Sequence, residues 1–286
     1  MSRPFNITIS IPSGNPEKLR LIEKTNRLSL GLIFNRDELA EVARHRKELE
    51  FTGIYMLVNT SSDALPEIYV GEGESIISRL KSHSKDPKKD FWEWVVVFVN
   101  RDNSLHKGHI QHVEASLVER AKANKRCIIK NDKNPSKPTL AETVLYEAED
   151  FLSDIYQIVP LLGISAFELV PDNTKSDKAE PLYIHTKGIA AEAYTLDGKV
   201  VVRKGSQSIK ENVPSISNSF SSLRAALVEQ GVLIDQGESY TFEQDYTFDS
   251  PSTAAATVMG RNANGRTEWK TEGGITLKEL QEQSLK

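Results

Sequence analysis

The carboxylate of Glu114 is the first candidate for chemistry, because the sequence predicts that it points into an apolar helix face. Turning by about 100° per residue along the helix predicted over 104–124 places Glu114 between Val118 and Ala121. Burying an unpaired carboxylate is costly. Two interpretations are open: an ion pair with a nearby arginine, or coordination of a hard cation such as Mg²⁺, which accepts one or two carboxylates and keeps several waters.

Four other side chains that could bind a phosphate or transfer a proton precede Glu114 in the sequence. Arg79 and His83 are four residues apart on a predicted helix and so share one face, where a guanidinium and an imidazole could bind a phosphate together. The same spacing is also typical of a solvated helix edge. Tyr55 and Tyr69 lie in predicted strands, within the tripeptides GIY and YVG. Tyrosine is common in strands for packing reasons, so the interpretation depends on the order of the whole set.

This order of residues resembles the GIY-YIG nuclease family over about residues 50–135. The resemblance implies a metal-dependent endonuclease that hydrolyses phosphodiester bonds in DNA, without excluding RNA, and a Mg²⁺ or Mn²⁺ ion bound by Glu114. His83 stands where a subset of that family has a histidine. The implied catalytic residues are Tyr55, Tyr69, Arg79, His83, Glu114 and Asn131, with Asn134 as a substitute for Asn131.

The expected roles follow from the needs of phosphodiester hydrolysis, which must activate a water, neutralise charge on the phosphoryl oxygens and assist the leaving oxygen. We expect Mg²⁺ at Glu114 to polarise the phosphate and Arg79 to stabilise the transition-state charge. Tyr55 would be the general base, with an ordinary pKa near about 10 that the metal or Arg79 must lower. We expect Tyr69 to orient the water or the phosphate and His83 to share in proton transfer. Asn131 would steady the site as a neutral hydrogen-bond donor.

Two features depart from the family pattern. The tripeptides are separated by the 13 residues from Met56 to Ile68, which predicts an enlarged hairpin loop. Glu72 and Glu74 follow the second tripeptide, where relatives often have a small hydroxyl residue, and they add negative charge near the expected phosphate site. Basic side chains would offset this charge by contacting nucleic-acid phosphates. The residues expected to do so are Lys81, Lys85, Lys88, Lys89, Lys122, Arg126 and Lys130.

Other histidines and aromatic residues have structural as well as functional interpretations. Three histidines recur at every third residue, a spacing that drifts around a helix and cannot converge on one metal ion unaided: His106, His109 and His112. Several aromatic residues stand beside lysines or arginines and could stack on bases, although packing in the core is the favoured interpretation. They are Phe91, Trp92, Trp94 and Trp269.

The alternation of apolar and polar residues predicts the elements that position these groups. Strands are expected at residues 5–11, 51–58, 67–71 and 94–99, the last so continuously apolar that both of its faces should be covered. Helices are expected at 35–49, at 73–83, at about 104–124 with an Asn103 or Ser104 cap, and from the capping box Thr139-Leu-Ala-Glu142 to Pro160. A linker over 171–181 precedes hairpin turns at Asp197-Gly198 and Asn264-Gly265 and helices at 219–231, 250–260 and from Thr276 onward.

We therefore predict an α+β fold, with a GIY-YIG-type small antiparallel sheet flanked by helices and a second small α+β domain. The expected divisions are an N-terminal strand and helix extension (1–50), the nuclease domain (51–138), a helix and linker (139–182) and a C-terminal domain of unknown role (183–286). This last region looks like an uncharacterised domain that is found attached to bacterial GIY-YIG nucleases. We expect it to select or position the substrate.

Composition limits the alternatives. The chain has 286 residues, enough for about two domains. Its 36 Lys+Arg against 40 Asp+Glu give a net charge of −4, which excludes a histone-like polycation, and its single cysteine excludes an intrachain disulfide. With no apolar run of about 20 residues and no signal-peptide pattern, we expect a cytoplasmic protein without a membrane partner.

DNA is the expected partner, and a double-strand cut would require a homodimer or two sequential events. The alternative is a catalytically inactive nucleic-acid-binding or adaptor module, in which the glutamates after YVG have spoiled the phosphate site.

Overall fold

A computed structural model of the chain describes residues 4–60, 64–168, 180–186 and 188–284. These residues form two compact units, an N-terminal unit that ends at Glu168 and a C-terminal unit that follows it. Both contain sheets and helices, so the predicted α+β fold with two domains is confirmed. Most of the predicted linker 171–181, and residues 61–63 between the tripeptides, lie outside the described residues.

One seven-stranded sheet organises the N-terminal unit. Its order is β1-β2-β3-β6-β4-β5-β7, and every neighbouring pair is antiparallel except β5 and β7, which run parallel. The strands are β1 (Ile7–Ser10), β2 (Arg20–Lys24), β3 (Ser29–Asn35), β4 (Gly53–Asn59), β5 (Glu67–Gly73), β6 (Trp94–Asn100) and β7 (Ile128–Ile129). The N-terminal segment therefore extends the same sheet that contains the tripeptides.

Among the described residues, four α-helices cover the two faces of this sheet: α1 (Leu39–His45), α2 (Ile76–His83), α3 (Lys107–Asn124) and α4 (Glu142–Ile158). The apolar residues of α3 and α4 form one core with Ile54, Val70 and Phe98. Those of α1 and α2 form the other core with Leu57 and Val97. β6 has buried residues in both cores, which confirms the prediction of a strand covered on both faces.

Three predicted helix starts are too early. α2 begins at Ile76 and not at Gly73, because Gly73 is the last residue of β5. α3 is capped by His106, three residues beyond the expected Asn103, because the His106 ring accepts a hydrogen bond from the Gly108 N–H (3.2 Å). α4 begins at Glu142 after Ala141, which makes no side-chain cap, so Thr139 does not open the helix. For α3 and α4 the sequence contains a capping pattern, but the helical backbone begins two or three residues after it.

The described residues of the C-terminal unit form two small sheets. The first has the order β14-β10-β9-β8 and the second β11-β13-β12. The strands are β8 (Leu182–Thr186), β9 (Ile189–Leu196), β10 (Lys199–Val202), β11 (Gln207–Ile209), β12 (Leu233–Asp235), β13 (Ser239–Phe242) and β14 (Tyr246–Phe248). The helices are α5 (Asn218–Glu229), α6 (Pro251–Met259), α7 (Gly265–Glu268) and α8 (Leu277–Gln283).

Local turn chemistry explains several of these elements. Asp197 and Gly198 have positive φ values of 49° and 82°, which is the geometry of a type I′ turn, and they join β9 to β10 as predicted. The predicted capping box at Thr276 and Glu279 is also present. Asn264-Gly265 forms no hairpin, because Asn264 caps the short helix α7 instead.

A buried arginine ties the C-terminal unit together. Arg224 of α5 is 3% exposed, and its Nε donates a hydrogen bond to Asn212 Oδ1 (2.6 Å). Its other donors reach Ser208 Oγ and the backbone carbonyls of Ile209, Lys210 and Thr257. These bonds join α5 to β11 and α6. In the parts of the chain that the structure describes, no helix is both long and apolar enough to cross a bilayer.

Candidate active site

Glycines in the two tripeptides and just after the second one allow close packing around the candidate site. Tyr55 and Gly71 are directly opposed in the β4–β5 pair, and a Cβ atom added at Gly71 would lie 2.3 Å from the Tyr55 hydroxyl oxygen. A Cβ at Gly73 would lie 2.7 Å from Cγ of Arg79, and one at Gly53 would lie 2.3 Å from a backbone carbonyl of β6. The Tyr55 side chain therefore lies across Gly71 and is fully buried.

Helix α2 brings an imidazole to the Tyr55 hydroxyl. A hydrogen bond of 2.7 Å joins the Tyr55 hydroxyl and Nε2 of His83. The ring of Tyr69 completes the cluster, with its centroid 6.2 Å from Tyr55 and 5.2 Å from His83. Arg79 lies one helical turn before His83, and its charge acts on both tyrosines. Four of the predicted catalytic side chains are therefore neighbours.

Burial determines the protonation of this cluster. It raises the pKa of Tyr55 well above 10; Tyr69 raises it further, whereas Arg79 lowers it. Burial also lowers the pKa of His83 to about 4, and the positive charges of Arg79 and Lys89 act in the same direction. The resting pair is thus a neutral phenol and a neutral imidazole. Arg79 lowers the pKa of Tyr55, as expected, but burial raises this pKa by more.

Tyr69 also contacts Lys89. The Lys89 Nζ lies 4.1 Å from the centroid of the Tyr69 ring, a cation–π arrangement. It also donates a hydrogen bond to the carbonyl oxygen of Lys130 (3.1 Å) and lies 3.7 Å from Asp132. Because Lys89 is buried, it belongs to the wall of this cluster and not to an open basic surface.

Asn131 fixes the backbone beside Tyr69. Its Oδ1 accepts a hydrogen bond from the Val70 N–H (3.0 Å), and its Nδ2 donates one to the Val70 carbonyl oxygen (2.7 Å). The side-chain amide thus continues the pairing of β5 just beyond β7. The substitute residue Asn134 is exposed and accepts a hydrogen bond from Lys122. The structure therefore places Asn131, and not Asn134, next to the second tripeptide.

Strand alternation divides the site between the two faces of the sheet. Tyr69 packs against the core of Tyr55 and α2, whereas Val70 packs beneath α3, so Glu72 also faces α3. β7 pairs only with Glu67 and Ile68, and the later part of β5 is an edge. Glu114 raises the pKa of Tyr69, which shows that groups on both faces act on one another near this edge.

Glu114 is partly buried on α3. Burial raises its pKa to about 7; Glu72 raises it further, and Lys107 and Arg79 lower it. Among the described residues Glu114 forms no ion pair with an arginine, so that interpretation of its inward direction finds no support.

The described residues contain no group of three or more histidine, cysteine, aspartate and glutamate side chains arranged to hold a metal ion. Two carboxylates are present on this side of the sheet: the charge of Glu72 raises the pKa of Glu114, and Oε2 of Glu72 is buried without a hydrogen-bond partner. Mg²⁺ accepts one or two carboxylates and completes its coordination with water. The residues present therefore fit a hydrated divalent cation.

The expected basic residues differ in their exposure. Lys81, Lys85 and Lys88 are exposed on and after α2. Lys122 is also exposed, while Lys130 pairs with Glu67 at 2.9 Å. Arg126 is 7% exposed and donates hydrogen bonds to Ser165 O (3.3 Å) and to the Glu168 carboxylate at 2.5 Å. The prediction that Arg126 contacts nucleic acid is therefore wrong, because its guanidinium is buried in an internal ion pair.

The remaining candidates have structural roles. Nε2 of His109 is 2.9 Å from Glu147, and Nε2 of His112 is 2.6 Å from Glu149, so both buried rings join α3 to α4. Trp92 and Trp269 are 1% and 0% exposed, which confirms the core interpretation for both. Phe91 and Trp94 are partly buried and pack against the same cores.

Lys107, the first residue of α3, is a site residue that the sequence motifs do not identify; its Nζ forms an ion pair with Glu72 Oε1. A lysine in the first turn of a helix is unfavourable for the helix dipole, and this was the available signal.

Comparison with known proteins gives one match. Residues 182–281, about a third of the chain, are similar to a family described as "Domain of unknown function (DUF4357)". This agrees with the expectation of an uncharacterised C-terminal domain. The GIY-YIG family is not matched. No curated protein matches the chain, and no solved structure does.

Proposed function

We propose that the N-terminal unit is a metal-dependent endonuclease that hydrolyses phosphodiester bonds in DNA, as the resemblance of residues 50–135 to GIY-YIG nucleases implies. The observation that supports it most directly is the 2.7 Å hydrogen bond between Tyr55 and a neutral His83, with Arg79 beside it. A proton acceptor and a phosphate-binding cation at one site are what hydrolysis of a phosphodiester requires.

Tyr55 and His83 would act together as the general base. In the tautomer with its proton on Nδ1, His83 accepts a hydrogen bond at Nε2 from the Tyr55 hydroxyl. Tyr55 would take a proton from the attacking water while its own proton passes to Nε2. This relay avoids a free phenolate, which the burial of Tyr55 makes unfavourable.

Arg79 and a cation bound at Glu114 would neutralise the negative charge of the phosphate. The Arg79 side chain is exposed and can bind two phosphoryl oxygens at once. A Mg²⁺ or Mn²⁺ ion held at Glu114 would neutralise charge on the phosphate and support the leaving oxygen. Tyr69, held by contacts with His83 and Lys89, would orient the water or the phosphate.

The exposed lysines favour a polyanionic substrate. Lys81, Lys85 and Lys88 lie on and after the helix that carries Arg79, where they would contact the phosphates on either side of the scissile bond. The C-terminal unit would select or position the DNA, and a homodimer would supply two active sites for a double-strand cut.

The test is cleavage of supercoiled plasmid DNA by the full chain, with Mg²⁺ and with EDTA. We expect nicking with Mg²⁺ only, and losses of at least about 100-fold for Tyr55→Phe and Glu114→Ala. Glu119→Ala is the matched control, because Glu119 is an exposed glutamate on the same helix. DNA retention without cleavage by the wild-type chain would overturn the proposal in favour of an inactive binding module.

A further inference from the structure

Glu72 is a partly buried carboxylate, one oxygen of which is buried and makes no hydrogen bond. Its side chain is 16% exposed, its Oε1 is paired with Lys107, and its Oε2 has no hydrogen-bond partner. A buried polar atom left in this state is costly, and native proteins rarely keep one without a reason. The unpaired Oε2 of Glu72 therefore needs an explanation other than packing.

The surroundings of Glu72 point to a cation. Lys107 and Glu114 are seven residues apart on α3, so they lie two turns apart on one helix face, and this is the face that covers β5. Glu72 projects toward α3 from β5. The ion pair between Lys107 Nζ and Glu72 Oε1 shows that the Glu72 side chain reaches this face of α3, on which Glu114 also lies.

We propose that Glu72 is a second ligand of the divalent cation beside Glu114, and that Lys107 neutralises Glu72 when no cation is bound. This inference rests on the proposed nuclease function and adds a residue to its metal site. Two carboxylates and water molecules form an ordinary coordination shell for Mg²⁺ or Mn²⁺. The acidic residue after the second tripeptide is then part of the site, and it does not spoil the binding of phosphate.

Direct Mn²⁺ binding by the full chain tests this assignment without relying on cleavage. Electron paramagnetic resonance measures the free Mn²⁺ that remains at each total concentration. We expect Glu72→Gln and Glu114→Gln each to weaken Mn²⁺ binding by about tenfold or more, since even outer-shell partners of metal sites cost about that much. Lys107→Met should tighten binding severalfold, because it removes a competing cation.

Glu74→Gln is the matched control, an exposed glutamate two residues further along the chain. It should bind Mn²⁺ as the wild-type chain does, and thermal unfolding should show that all four variants are folded. Wild-type affinity in Glu72→Gln together with weak binding in Glu114→Gln would overturn this inference and leave the proposed function standing. Absence of Mn²⁺ binding by the wild-type chain would overturn both.

Discussion

Gly71→Ala tests whether the close approach of Tyr55 to β5 positions the site. An alanine Cβ would lie 2.3 Å from the Tyr55 hydroxyl oxygen and 2.4 Å from its Cζ. Ordinary contacts between such atoms are at about 3.5 Å, so the ring must retreat by roughly 1 Å. The hydroxyl is 2.7 Å from His83 Nε2, and the same displacement takes it beyond hydrogen-bonding range.

The substitution should affect stability modestly and cleavage strongly. Overpacking of this kind costs about 1–3 kcal/mol, which lowers the Tm of a domain of this size by roughly 2–4 °C for each kcal/mol. A misplacement of about 1 Å at a reacting group can cost about 100-fold in rate. We therefore expect folded Gly71→Ala protein that nicks supercoiled plasmid at about 1% of the wild-type rate.

Two comparisons make this prediction specific. Gly273→Ala is the control, because its added Cβ would meet nothing closer than Thr271 Oγ1 at 3.8 Å. In a Tyr55→Phe background, Gly71→Ala should lower the rate little further, since the hydroxyl is already absent. Wild-type cleavage by Gly71→Ala, or an undiminished effect of Gly71→Ala in the Tyr55→Phe background, would refute the argument that Gly71 acts by positioning this hydroxyl.

Three further predictions concern the supports of the two units. Asn131→Ala removes both hydrogen bonds to the Val70 backbone and should lower the free energy of unfolding by about 1–3 kcal/mol. Asn131→Asp keeps the acceptor but sets a carboxylate oxygen against the Val70 carbonyl oxygen, so it should not restore this loss; wild-type stability of either variant in urea would contradict this. The pKa of His83 is lowered to about 4 in the folded chain, whereas in the unfolded chain it has its ordinary pKa of about 6.5. Between these two pH values the unfolded chain therefore binds more protons than the folded chain. The titration of His83 should therefore lower the free energy of unfolding by up to about 3 kcal/mol as the pH falls from about 6.5 to about 4. Urea unfolding should show a smaller pH slope for His83→Gln than for the wild-type chain; equal slopes would count against the buried neutral imidazole. Arg224→Met leaves several buried acceptors unpaired and should cost about 3 kcal/mol or more, with Arg224→Lys restoring only part; wild-type hydrogen-exchange protection of residues 207–260 in the methionine variant would contradict this role.

The sequence predicted the groups that local spacing determines. Tyr55 and Tyr69 are fixed by the register of one hairpin, and Arg79 and His83 by one turn of α2, so short-range patterns were sufficient to bring these four together. The continuous apolar run of β6 likewise identified a strand with two covered faces.

Contacts between residues distant in the chain were not predictable in this way. The lysines and arginines that cluster near Arg126 predict a DNA-binding surface, yet Arg126 forms an ion pair with Glu168, 42 residues later. The spacing does not predict β3 either, although its sequence SLGLIFN is largely apolar. This strand is defined by its pairing with β6, which lies much later in the chain. Pairing across the fold depends on tertiary packing, which residue spacing does not contain.

The electrostatics of the Tyr55–His83 pair bear on when the proposed base becomes competent. A buried imidazole that already faces the positive charges of Arg79 and Lys89 resists accepting a proton, and its pKa of about 4 expresses this resistance. A phosphodiester bound at Arg79 would bring a negative charge beside the same imidazole and offset that field. The proton of Tyr55 could then pass to His83 at less cost than in the free chain. The high pKa of Tyr55 and the low pKa of His83 are therefore compatible with the relay, because the substrate itself supplies the missing charge.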